Sequence, residues 1–206
     1  MKIIDISQVL HSDIPVWPGD TPFSFRLSWT KQESGSVNVG KIEMSTHTGT
    51  HIDAPFHFDN EGKKVIELDL ERYIGEAKVI QVSNVETITP DHFNGTNFEG
   101  VTKLLIRTNS WNNRREFPSS IPSLSPDLAP FLADRGIKLL GVDVPSVDVL
   151  DSKDLPAHHS LLGHDIHILE GIVLDSVDEG VYQLVALPLP LKEADGSPVR
   201  AILIEQ

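Results

Sequence analysis

His47-Thr48-Gly49-Thr50-His51-Ile52-Asp53-Ala54-Pro55-Phe56-His57 sets three histidines and one aspartate on odd-numbered positions of a short run. Side chains alternate across an extended backbone, so in a strand all four share one face. In a helical turn His47 and His51 also align, at i and i+4. Gly49 and Pro55 argue against one long regular element. The stretch therefore reads as a strand end that leads into a tight loop.

These residue types suit a divalent metal. Neutral imidazole and carboxylate are ligands that zinc or manganese accepts. Asp53 carries two oxygens and can bridge two ions, and His57 can either ligate or stay free as a general acid/base near neutral pH. The chain has no cysteine, so a metal site must use nitrogen and oxygen, and a closed structural zinc site is disfavoured. A second region, Ala157-His158-His159-Ser160 followed by Ile166-His167-Ile168-Leu169-Glu170, adds candidates. Glu170 sits inside an apolar run, where a lone carboxylate needs a cation or metal partner. His158 or His159 can reach the same site, although both also read as a solvated helix end. His11, His92, His164 and His167 have no patterned partners and read as surface groups. Trp17, in the stiff loop Ile14–Pro22, reads either as the wall of an aromatic pocket or as a loop anchor; Trp29 and Trp111 have no comparable context.

Outward from the motif, β-branched runs bounded by Gly, Pro, Asn or Asp predict strands. They cover Lys2–Ser7, Phe23–Thr30, Val37–Thr46, Lys78–Ser83, Lys103–Thr108, Ile137–Val144, Val181–Pro188 and Val199–Ile204. Pro188, Pro190 and Pro198 place the last two at sheet edges or ends. Ser125-Pro126-Asp127 starts a helix that Gly136 stops, with Pro130 requiring a late start or a bend. A second helix is expected from about Pro156 to Leu162 and a third over Glu67–Tyr73. Many strands with few helices predict an α/β fold, a strand-rich mixed sheet in one domain over residues 1–206.

Of 206 residues, 17 are basic and 30 acidic, a net charge of −13 that repels phosphate backbones and disfavours nucleic acid. The N-terminus lacks the apolar core of a signal peptide, and charge, Pro or Gly interrupts every apolar run, so the chain reads as cytoplasmic and not membrane-bound. No phosphate loop, dinucleotide fingerprint or nucleophilic-serine elbow is present, which leaves activated water as the nucleophile.

The run His47–His57 resembles the H-x-G-T-H-x-D-x-P-x-H signature of the cyclase family of metal-dependent amide hydrolases. The loop Val16–Pro22 points, within that family, to the bacterial-type kynurenine formamidases (arylformamidases). The likeness extends through Asp5–Ser7, Leu105–Thr108, Val144–Asp148, Ser152-Lys153, His158, Ile168–Glu170 and Ser197–Ala201. The resemblance implies a swivelling β/β/α domain, usually a homodimer or higher oligomer. It implies two divalent ions, zinc by preference with manganese as the alternative. His47, His51 and Asp53 would bind one ion. Asp53 and Glu170 would bridge to the second, which His158 completes, with the family's spacing to Glu170 favouring His158 over His159. His57 would be the proton donor and acceptor, and Trp17 would contact a small aromatic amide. The implied reaction is hydrolysis of N-formyl-L-kynurenine to L-kynurenine and formate in tryptophan breakdown. The alternative is opening of a cyclic amide or imide such as isatin.

Overall fold

A computed structural model describes residues 1–205. In chain order it contains β1 (Lys2–Asp5), β2 (Ser24–Trp29), α1 (Lys31–Ser34), β3 (Val39–Glu43), β4 (His51–Asp53), β5 (Ile74–Gln81), β6 (Thr87–Ile88), β7 (Lys103–Arg107), β8 (Ser123–Leu124), α2 (Leu128–Ala133), β9 (Leu139–Val142), α3 (Pro156–Gly163), β10 (His167–Glu170), β11 (Gly180–Val185), β12 (Gly196–Pro198) and β13 (Ile202–Glu205). Nine strands form one sheet in the order β1-β13-β11-β5-β7-β9-β10-β4-β12. Its centre, β5-β7-β9-β10, is parallel, and both flanks are antiparallel. The fold is the mixed α/β sheet with few helices that the sequence predicts.

The parallel centre is where the sequence is apolar without alternation, because both sheet faces are covered. Leu104, Ile106, Leu140, Val142 and Ile168 pack with α2 and α3 on one face. Leu105, Leu139, Leu169 and Ile52 face the other way, toward Tyr73, Leu184 and Leu203. The prolines near the C-terminus lie beyond the ends of β11 and β13, which are interior strands; the edge strands are β1 and β12, and β12 ends at Pro198.

α3 (Pro156–Gly163) fills the window expected from about Pro156 to Leu162, whereas α2 is shorter than its own. α2 starts at Leu128, which makes Pro130 its third residue. The missing N–H is then one of the first-turn donors that has no helical acceptor anyway, so the proline does not break the helix. Glu67–Tyr73 is not one helix but parts of two 3₁₀ turns, Val65–Glu67 and Leu70–Tyr73. Among the described residues, no helix is long and apolar enough to cross a membrane.

Candidate active site

Strand β4 lies between β10 and β12, and its register sets the site: Glu170 pairs with His51, Ile168 with Asp53, and Gly196 with Asp53. Directly opposed residues point to the same face, so His51, Asp53 and Glu170 converge from two strands. The motif is a strand end and a tight loop, as its Gly and Pro predict: β4 runs straight into a 3₁₀ turn over Pro55–His57. Gly49 has φ +71°. That backbone lets its carbonyl oxygen accept from His51 Nδ1 at 3.0 Å, which turns Nε2 of His51 inward as the nitrogen available to a metal. Thr50 Oγ1 donates to the Gly171 carbonyl at 2.8 Å and accepts from Gln8 N–H at 2.9 Å, fixing the motif's backbone.

His51 Nε2 stands 3.5 Å from Asp53 Oδ1 and 3.5 Å from Glu170 Oε2. His47 Nδ1 is 3.0 Å from Asp53 Oδ1. His158 Nε2 is 3.6 Å from Asp53 Oδ2 and 3.7 Å from Glu170 Oε1. Two sets of donor atoms result, His47-His51-Asp53 and Asp53-His158-Glu170, with Asp53 common to both. One oxygen of Asp53 faces each set. Asp53 Oδ2 is buried and has no hydrogen-bond partner among the described residues. An orphaned carboxylate oxygen in a buried site is expensive unless a cation meets it. Ligands about 2.1 Å from a shared ion stand about 3.0 to 3.4 Å apart, close to the separations here. The residues present therefore fit divalent metal.

The second histidine is held from behind. Asp148 Oδ2 accepts from His158 Nδ1 at 2.7 Å and from the His158 backbone N–H at 3.1 Å, while Oδ1 accepts from Ala157 N–H at 3.0 Å. Asp148 thus caps the first turn of α3 and fixes the tautomer that aims Nε2 at Asp53 and Glu170. The neighbouring His159 is exposed and packs edge-on against Phe58. Glu170 Oε1 also accepts from Val147 N–H at 3.0 Å.

The electrostatics favour cations. Burial disfavours the charged form of His51, yet hydrogen bonds and charge from Asp53 and Glu170 outweigh it and raise the ring to about 10. His158 behaves alike: burial opposes its charge, but Asp148, Asp53 and Glu170 carry it to about 10. Burial also opposes charge on His47, and Asp195 and Asp53 lift it to about 9. Asp53 is fully buried, which alone would raise it, but three histidines hold it well below the ordinary carboxylate range. A field that holds protons this firmly holds a dication in their place.

The pocket above these groups has a volume of about 280 Å³. His47, His51, His57, His158 and Glu170 form its polar end, and Trp17, Trp111 and Phe117 wall the other. Trp17 meets Phe117 edge-on at 5.3 Å, and Trp111 meets Phe117 at 6.2 Å. His57 sits at the rim, its ring 4.0 Å from that of His47.

Sequence reasoning did not single out Asp148, Asp195, Trp111 or Phe117. Trp111 is buried and lines the pocket, whereas Trp29 is exposed on a hairpin. His167 is not a surface group: it is partly buried and its Nδ1 accepts from the Tyr73 hydroxyl at 2.8 Å. Asp195 precedes Gly196 and Pro198 and so reads as turn chemistry; its partners lie far away in sequence.

A cation centre of histidine and carboxylate under an aromatic pocket, on a mixed α/β sheet, defines the class of metal-centred hydrolytic enzymes. A family model described as "Putative cyclase" matches residues 4–149, and the chain belongs to that family. A kynurenine formamidase of Bacillus cereus (strain ZK / E33L) is 62% identical over 200 residues, 97% of this chain and 96% of that protein. A solved structure titled as a potential metal-dependent hydrolase with cyclase activity superposes with TM-score 0.83 at 28% identity, covering 98% of this chain and 96% of that one. Isatin hydrolase A from Labrenzia aggregata superposes with TM-score 0.85 at 25% identity, covering 100% of this chain and 94% of that one.

Proposed function

We propose that the chain is an arylformamidase that hydrolyses N-formyl-L-kynurenine to L-kynurenine and formate, a step of tryptophan breakdown, as one hydrolase domain over residues 1–206. The observation that carries the reading is the meeting of a two-set carboxylate–histidine centre with an aromatic pocket in one cavity of about 280 Å³. Identity of 62% to a kynurenine formamidase across nearly the whole chain supports the choice of substrate.

His47, His51 and Asp53 would hold one divalent ion, and Asp53, His158 and Glu170 would hold a second, with zinc preferred and manganese acceptable to the same ligands. When bound, divalent metal would supply Lewis-acid polarisation of an amide carbonyl and a water activated near neutral pH. Trp17, with Phe117 and Trp111, takes the aryl ring and so sets the formyl group at the polar end of the pocket. His57 delivers a proton to the departing aniline nitrogen, a step typically worth about 10²- to 10⁴-fold. Its place at the rim, beside His47 but outside both ligand sets, suits a group that must gain and lose a proton. The working unit is a cytoplasmic homodimer.

The test is formate release from N-formyl-L-kynurenine by purified protein, before and after chelation and with zinc or manganese restored. Metal-dependent release is expected. Absence of release, with isatin opened instead, would replace the substrate and keep the centre; the likeness to isatin hydrolase A makes isatin the comparison to run.

A further inference from the structure

Asp195 joins three separate parts of the chain at one carboxylate. Its Oδ1 accepts from the Thr46 hydroxyl at 2.9 Å. Its Oδ2 lies 3.0 Å from His47 Nε2 and 3.4 Å from His57 Nδ1. Its backbone oxygen accepts from Ala54 N–H at 2.8 Å, which ties the start of edge strand β12 to the turn that carries His57. The next residue cannot carry a side chain: a Cβ at Gly196 would stand 2.6 Å from His47 Cε1. The backbone at 195–196 is therefore pressed against the His47 ring, and the carboxylate reaches both imidazoles.

His47, His57 and Asp195 also form a third cluster of potential ligands. It differs from the Asp53-His158-Glu170 set, because its facing atoms are hydrogen-bonded to one another and none of them is orphaned. His47 offers Nδ1 to the ligand set with His51 and Asp53, so its Nε2 carries the proton and donates to Asp195. His57 has one nitrogen, Nδ1, on the same oxygen. With that proton directed at Asp195, Nε2 keeps its lone pair for the pocket that His57 lines.

We propose that Asp195 is a positioning residue that locks His57 as the Nδ1–H tautomer and couples its ring to the metal ligand His47. Asp195 neither lines the pocket nor belongs to the two ligand sets that share Asp53. It aims Nε2 of His57 at the leaving nitrogen and supports the positive charge when His57 holds the proton. The proposal rests on the proton-transfer role given to His57 above.

The test uses the zinc-loaded chain with ¹⁵N-labelled histidine. The wild-type spectrum is expected to show His57 protonated at Nδ1, and Asp195→Ala to move that population toward Nε2–H. At saturating zinc, with occupancy checked by elemental analysis, Asp195→Ala is expected to lower kcat for N-formyl-L-kynurenine about 10- to 100-fold with KM little changed. In a His57→Ala background the same change is expected to cost less than about twofold, because no ring is left to orient. Equal losses in both backgrounds, or an unchanged His57 tautomer, would overturn the proposal. Should the alanine variant misfold, Asp195→Asn keeps the volume and is read in the same way. The spectrum needs no substrate, so an inactive wild type would sink the formamidase reading while leaving the tautomer result decisive.

Discussion

At the scale of single residues, the proposed roles give metal binding to Asp53 and proton transfer to His57. Asp53 is fully buried, belongs to both ligand sets and presents an orphaned oxygen. Asp53→Ala is expected to leave neither ion held, measured as less than one equivalent of zinc per chain after dialysis; full occupancy would sink the two-ion arrangement. His57→Ala is expected to keep wild-type zinc content while kcat falls about 10²- to 10⁴-fold. Loss of metal in that variant would make His57 a ligand instead. A third residue gives a prediction about acid. Burial, with Arg72 nearby, lowers His167 from 6.5 to about 4, and its Nδ1 accepts from the buried Tyr73 hydroxyl. The folded value lies below the unfolded one, so the unfolded chain takes the proton first as pH falls. The stability contribution is whole above about pH 6.5 and is eroded down toward pH 4. Between pH 7.5 and 5 the loss comes to about 2 kcal/mol. Urea unfolding of metal-stripped protein should show wild type losing that much more than His167→Gln over this range. Parallel losses would disprove it.

At the scale of elements, the pocket depends on a loop that no motif announces. After β7, Asp143 at the end of β9 accepts from the backbone N–H groups of Thr108 at 2.9 Å and Asn109 at 3.1 Å. This turns residues 108–117 so that Phe117 meets Trp17 and Trp111 backs Phe117. Asp143→Ala strands two backbone donors, at about 1 to 3 kcal/mol each when buried. The expected result is a lower urea midpoint and a KM for the aryl substrate raised about tenfold, a 1.4 kcal/mol effect; an unchanged KM would remove the loop from the pocket's function. Such couplings explain what the sequence conceals. β7 is legible within a residue because Lys103–Arg107 is a short apolar run with clear borders. β4 has three residues, too few for periodicity, and is a strand only because β10 and β12 flank it. His47, His51 and Asp53 stand out because their chemistry is concentrated within the motif. Asp148, Asp195 and Asp143 act on residues brought near by the fold, and each alone reads as an ordinary surface or turn acid.

At the scale of the whole molecule, one part of the fold is unfinished in the single chain. β2 and β3 pair as a separate two-stranded sheet, and none of their residues is buried. Phe25, Leu27, Trp29, Val39 and Ile42 all remain exposed there. A lone hairpin is marginal in water, and an apolar cluster of this kind marks a contact surface. In the proposed homodimer a second copy of the chain would be the partner, and covering these side chains would give the hairpin the third layer it lacks. The net charge of −13 makes two copies repel, so association should strengthen as salt screens that repulsion. Sedimentation is expected to give twice the chain mass of 22.8 kDa, with the dimer favoured by added salt. The pair Trp29→Lys and Ile42→Lys should yield a monomer that still binds metal, because neither residue belongs to a ligand set or lines the pocket. A wild-type monomer at micromolar concentration, or a double variant that stays dimeric, would show that the hairpin has some other role.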